Sequence, residues 1–202
     1  MKRLISIMLA LVMLLSFAAC NKDKGPSKPL ETVSLDGENL KLEWRNGEFS
    51  FPNGKKAKLP CSVNKFIEDS GLKIPNADDL GEKTLKAGES IILNVVGPDM
   101  TLKVKAKNNS GKDGLNYMDA TIIRCSFNNT QPNNRQIKIA GTLTAGVTRK
   151  DLEKALGVPQ GQESGEELYY YNAVNTNMKH VRLTIGFNSD DIVNSVAYEI
   201  VK

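Results

Sequence analysis

The sequence predicts an α+β fold of two similar units, each a short helix packed on an antiparallel β-meander, preceded by an N-terminal β-hairpin. Three observations predict it. Two capped amphipathic segments end at glycines 86 residues apart, Gly71 and Gly157. Three runs of strand-like alternation follow each of them. An Asn-Gly pair, Asn46-Gly47, separates two further alternating runs ahead of the first helix. The composition supports a folded chain: of 202 residues, 40% are hydrophobic, 25% are charged and only 3 are Cys. Disordered chains lack this much apolar material, and disulfide scaffolds carry far more cysteine.

The first twenty residues read as an export signal. Lys2 and Arg3 form a positive start, and Leu4 to Ala19 is an apolar run broken only by Ser6 and Ser16. A membrane-spanning helix needs about 20 apolar residues, and this run is shorter and ends in small side chains. Phe17-Ala18-Ala19-Cys20 resembles a bacterial lipobox. That resemblance implies a signal peptide over 1–19, diacylglyceryl attachment to Cys20 and cleavage just before it. Residues 20–30 are polar and contain Pro26 and Pro29, so they are expected to form a flexible tether. Removing Lys2 and Arg3 from the 27 basic residues leaves 25 against 23 acidic ones, a net of +2. So balanced a charge argues against nucleic acid as a partner, because that interaction needs a concentrated basic face.

The folded chain divides into expected units at 31–130 and 131–202. In the first, Leu40 to Arg45 and Glu48 to Phe51 alternate on either side of Asn46-Gly47. This is the signature of a two-residue hairpin pairing Arg45 with Glu48, Trp44 with Phe49 and Leu42 with Phe51. Ser62 then caps a helix in which Val63, Phe66, Ile67 and Ser70 share one face, and Gly71 closes it. A polar loop from Pro75 to Glu89 leads into strands over 91–96, 100–107 and 120–127. In the last of these Thr121, Ile123, Cys125 and Phe127 are expected on one face. The Asn-rich segment from Asn128 to Asn134 marks the boundary.

The second unit repeats the order. Gln136 to Ala140 reads as a short strand. Thr148 to Asp151 is a capping box ahead of Leu152, Ala155 and Leu156, with Gly157 and Pro159 beyond. Strands are expected over 167–171, 180–187 and 192–200. Gly141 to Thr148, Asp151-Leu152, Leu156 to Pro159, the tyrosine strand and the final hairpin together resemble the SmpA/OmlA (BamE-like) small lipoprotein domain. They are also similar to repeats of the β-lactamase-inhibitor-protein type. The resemblance runs from Ile137 to the C-terminus. It implies a binding module, either an assembly scaffold or a protein inhibitor, and offers no catalytic residues.

Chemistry is sparse. His180 is the single histidine, which excludes a multi-His zinc site, and its strand phase turns it toward solvent. No phosphate loop or metal-spaced cysteine cluster exists, so no cofactor or metal is expected. Asp78-Asp79 and Asp190-Asp191 read as solvated turns. Cys61 and Cys125 are a candidate disulfide, with two separate buried thiols as the alternative. Tyr169, Tyr170 and Tyr171, with Arg182, form a candidate binding surface. Tyrosine offers contact area with few rotors, although the same rings could equally roof the helix. The expected function is a membrane-anchored, extracytoplasmic, non-enzymatic lipoprotein that binds another protein or an envelope component. The alternative is a solute-binding or hydrolytic envelope protein using a groove between the two units.

Overall fold

The computed structural model describes residues 32–75, 77–162 and 168–201. The expected signal peptide and tether, with Cys20, lie outside them. The described chain is mixed α and β, with few helices and antiparallel sheets. Its organising feature is one seven-stranded sheet built from β4 (Ser90–Gly97), β5 (Met100–Lys107), β7 (Thr121–Asn128), β9 (Gly161–Gln162), β10 (Leu168–Val174), β11 (His180–Phe187) and β12 (Val193–Ile200). The order across it is β4-β5-β7-β12-β11-β10-β9. The last strand before the Asn-rich segment therefore pairs with the last strand of the chain, Val196 opposite Phe127 and Tyr198 opposite Cys125.

One face of this sheet carries the apolar phase of every long strand. Leu93, Val95, Leu102, Val104, Leu183, Ile185, Val196 and Tyr198 on it are all buried. Three helices belong to the same core: α1 (Gly37–Glu43) contributes Leu40, α2 (Val63–Ser70) contributes Val63 and Phe66, and α4 (Arg149–Leu156) contributes Leu152. A small sheet, β2-β1-β8, adds Phe49, Ala57 and Ile139 from β1 (Glu48–Ser50), β2 (Lys56–Lys58) and β8 (Lys138–Ile139). Edge-on ring contacts, Phe49 with Tyr198 at 6.2 Å and Phe51 with Phe66 at 6.0 Å, tie these layers together. The remaining elements are α3 (Ala77–Leu80) and the pair β3 (Thr84–Leu85) with β6 (Leu115–Asn116).

The two helix caps form as the sequence predicts. Ser62 Oγ accepts from the Lys65 N–H at 3.2 Å, and Gly71 closes α2 at φ 68°. Thr148 Oγ1 accepts from the Asp151 N–H at 3.2 Å and donates its own proton to Asp151 Oδ2 at 2.8 Å. These bonds satisfy backbone donors that a helix start leaves without an internal partner.

The leading hairpin does not form. Residues Gly37–Glu43 are helical, followed by a 3-10 turn over Trp44–Asn46. Leu40 and Trp44 are spaced to suit a strand face and a helical i, i+4 pair alike, so Leu42 decides between them. It is 62% exposed, while Leu40 and Trp44 are buried. The helix starts because Asp36 Oδ1 caps the Asn39 N–H at 3.1 Å, a side-chain bond that a strand could not use. Gly47, at φ 66°, ends the 3-10 turn instead of turning a hairpin. The real hairpin is β1-β2, and its turn contains the chain's other Asn-Gly pair, Asn53-Gly54. There Glu48 pairs with Lys56 at 2.7 Å rather than with Arg45.

A second correction concerns β7. Between it and β5 the register slips by one, Lys105 facing Arg124 but Ala106 facing Ile122. The bulge at Ile123 reverses the phase, so Ile122 and Cys125 are both buried while Thr121 and Ile123 leave the core face.

Candidate binding face

The opposite face of the sheet consists of the polar phases, and strand pairing sets them in rows. One row runs Lys105, Arg124, Glu199, Arg182, Asn172 across β5, β7, β12, β11 and β10. The next runs Lys103, Ser126, Ala197, Thr184, Tyr170. Neighbouring strands lie about 4.8 Å apart and alternate residues of one strand about 6.8 Å apart, so each row is a line of close neighbours. Arg124 and Glu199 make an ion pair at 3.5 Å. Arg182 donates from Nε to Asn172 Oδ1 at 3.1 Å, and its guanidinium lies 4.7 Å from the centre of the Tyr170 ring.

A groove of about 460 Å³ opens in the middle of this face, astride the β7–β12 pairing. Its walls include Lys103, Arg124, Ser126, Asn128, Thr184 and Ser195. Thr184 lies on its floor at 5% exposure. Gly186 holds this surface open beside Ser195: a methyl group there would meet the Ser195 hydroxyl and Leu168.

The four residues expected to form a binding surface are split between the faces. Tyr170 and Arg182 lie on the open face. Tyr171 is buried in the core, and its hydroxyl donates to the Gly157 carbonyl at 3.1 Å, tying β10 to the end of α4. Burial also pushes its hydroxyl up to about 12. Tyr169 shares that inner phase, its ring edge-on to Phe187 at 5.6 Å. The Arg149 guanidinium lies 4.4 Å from the centre of Tyr169 and 4.0 Å from that of Phe187. Asp191 pairs with that guanidinium at 2.7 Å from an exposed turn position, so the expected solvated turn Asp190-Asp191 also supplies an ion pair.

Cys61 and Cys125 are both free thiols, Cys61 half-buried and Cys125 buried. Cys61 sits beside the start of β7, its carbonyl accepting from the Ile122 N–H at 2.8 Å. Burial, reinforced by Asp69, pushes its thiol up to about 11; burial raises that of Cys125 as well. Neither is primed as a nucleophile, since the thiolate is the reactive form. His180 is exposed, as its strand phase predicts. Among the described residues no group of three His, Cys, Asp or Glu side chains could hold a metal ion, and no helix is long and apolar enough to cross a membrane.

No family model, curated protein or solved structure matches the chain. The groove residues Ser126, Asn128 and Ser195 escaped the sequence reading because each is an ordinary polar residue on its own strand. Their only signal is that they occupy the polar phase of strands that turn out to be neighbours.

Proposed function

We propose that this protein is a lipid-anchored, extracytoplasmic binding module without catalytic activity, held to the membrane by Cys20 and engaging its partner through the open face of the seven-stranded sheet. The observation that carries the reading is the asymmetry of that sheet. One face is roofed by α1, α2, α4 and the small sheet, while the other is uncovered among the described residues and bears an organised groove. Rigid strands hold its polar groups in fixed rows, as a recognition surface requires. The described lining of the groove offers hydroxyls, amides and two cations, with no carboxylate or imidazole to move a proton. That equipment suits holding a partner. The partner is another protein or a component of the cell envelope.

The duplicated architecture belongs to the same reading. Helix α2 with β4, β5 and β7 would be one unit, and α4 with β10, β11 and β12 the other, joined through their last strands. The groove then lies on the seam between the units. The likeness of 137–202 to the BamE-like domain and to inhibitor-protein repeats favours a binding role in the same way.

The anchor is tested by fractionation. The Cys20→Ala protein is expected to move from the membrane to the soluble fraction and to lose metabolically incorporated palmitate. Two or more acyl chains are needed for stable anchoring, at about 0.8 kcal/mol per buried CH2 group. A Cys20→Ala protein that stayed with the membrane would overturn this reading.

A further inference from the structure

The uncovered face is also where the positive charge of the chain is concentrated. Lys103, Lys105 and Lys107 alternate along β5, Arg124 follows on β7 and Arg182 on β11. Glu199 is the one carboxylate on the same strand faces, and it is already paired with Arg124. Five cations against one carboxylate give this face +4, whereas the chain without Lys2 and Arg3 carries a net of +2. The remainder of that chain is therefore −2 on balance, and the open face is a cationic patch on an otherwise slightly acidic molecule. A like-charged surface this dense raises the local concentration of anions and steers them in.

The groove narrows the kind of anion. Its polar walls supply Thr101, Ser126, Asn128, Thr130, Thr184 and Ser195 around Lys103 and Arg124. Hydroxyl and amide groups both donate and accept, which matches the hydroxyls of a sugar chain. A flat bilayer surface could not reach Thr184 on the floor. A peptide strand would look for unpaired backbone groups, yet β7, β12 and β11 are interior strands already paired on both sides. The Arg124–Glu199 pair already holds a carboxylate at this level of the face.

We propose that the open face binds an acidic polysaccharide, its carboxylates meeting Lys105, Arg124 and Arg182 on either side of Glu199 and its ring hydroxyls in the groove. This rests on the binding-module reading above and names the chemistry of the partner. Each sugar unit is comparable in length to the spacing between neighbouring strands, so a chain crossing the strands can set carboxylates near Lys105 and Arg124 and, one strand beyond Glu199, near Arg182.

The probe is polygalacturonate, titrated into the soluble Cys20→Ala protein by calorimetry, with neutral dextran and poly-glutamate as comparisons. Polygalacturonate is expected to bind, dextran not to bind, and poly-glutamate to bind at least about tenfold more weakly, since it matches the charge but not the hydroxyls. The double variant Lys103→Glu/Lys105→Glu, on exposed and half-exposed positions, is expected to lose at least about tenfold in affinity near 0.1 M salt. Lys150→Glu/Lys154→Glu makes the same charge change on exposed positions of α4 and is expected to retain most of it. Ser126→Phe fills the groove without altering charge and is expected to abolish binding; circular dichroism checks that each variant folds. Equal binding of poly-glutamate, or equal losses in the two charge variants, would overturn the proposal by reducing it to net charge. No binding of polygalacturonate would also overturn it. If crosslinks from Asn128 still formed in cells in that case, the binding-module reading would survive while the saccharide assignment failed.

Discussion

The Tyr198 hydroxyl donates to the backbone carbonyl of Arg45 at 2.9 Å, across 153 residues of chain. Tyr198 is fully buried on β12, and Arg45 lies in the 3-10 turn where the sequence pattern predicts a hairpin strand. Gly47 makes this approach possible, since a methyl group there would stand 2.8 Å from the Tyr198 ring. The N-terminal segment is thus shaped by the last strand of the sheet, not by its own alternation.

Burial pushes the Tyr198 hydroxyl from its ordinary value of 10 up to about 12, and Tyr171 likewise. Below pH 10 the folded and unfolded chains both keep these protons. Between about pH 10 and 12 the unfolded chain releases them while the native state holds them, so stability falls as pH rises. Thermal unfolding followed from pH 8 to 11 is expected to show a midpoint that declines above pH 10. The Tyr171→Phe/Tyr198→Phe variant starts lower but is expected to decline less steeply. Parallel declines would contradict the assignment.

The helical reading of 37–43 separates two leucines that a hairpin would treat alike. Leu40→Ala removes a fully buried side chain and is expected to cost about 2–5 kcal/mol. Leu42→Ser, at a position 62% exposed, is expected to stay within about 0.5 kcal/mol of the parent. Urea unfolding midpoints with unchanged slopes check both, and an equal cost at the two positions would restore the hairpin.

The thiols give a chemical check on the fold. With Cys61 pushed up to about 11 and Cys125 fully buried, alkylation of the native protein at pH 8 is expected to be slow at Cys61 and slower still at Cys125. After unfolding without reductant, mass spectrometry is expected to find both blocked. A protein that takes up neither label, lighter by two hydrogens, would carry the disulfide instead.

Helix α2 was legible because Ser62 and Gly71 bound a short amphipathic run, and β5 and β11 because their alternation is unbroken. The region 40–45 misled because Leu40 and Trp44 satisfy two periods at once, and the deciding cap, Asp36, lies outside the alternating run. The phase of β7 misled at Ile123, where a bulge that depends on β5 inserts one residue. The groove was illegible for a different reason. Lys103 meets Ser126 through the β5–β7 pairing, and Thr184 joins them only through the β7–β12 pairing, a contact between distant segments that no local pattern encodes.

The central claim is that the open face is where this protein meets its partner. A photo-crosslinking residue placed at Asn128 in the groove, and in a second strain at Lys150 on α4, tests it in intact cells. The account predicts a discrete, light-dependent adduct from position 128 in the membrane fraction and none from position 150. Adducts from position 150 with none from 128 would contradict it.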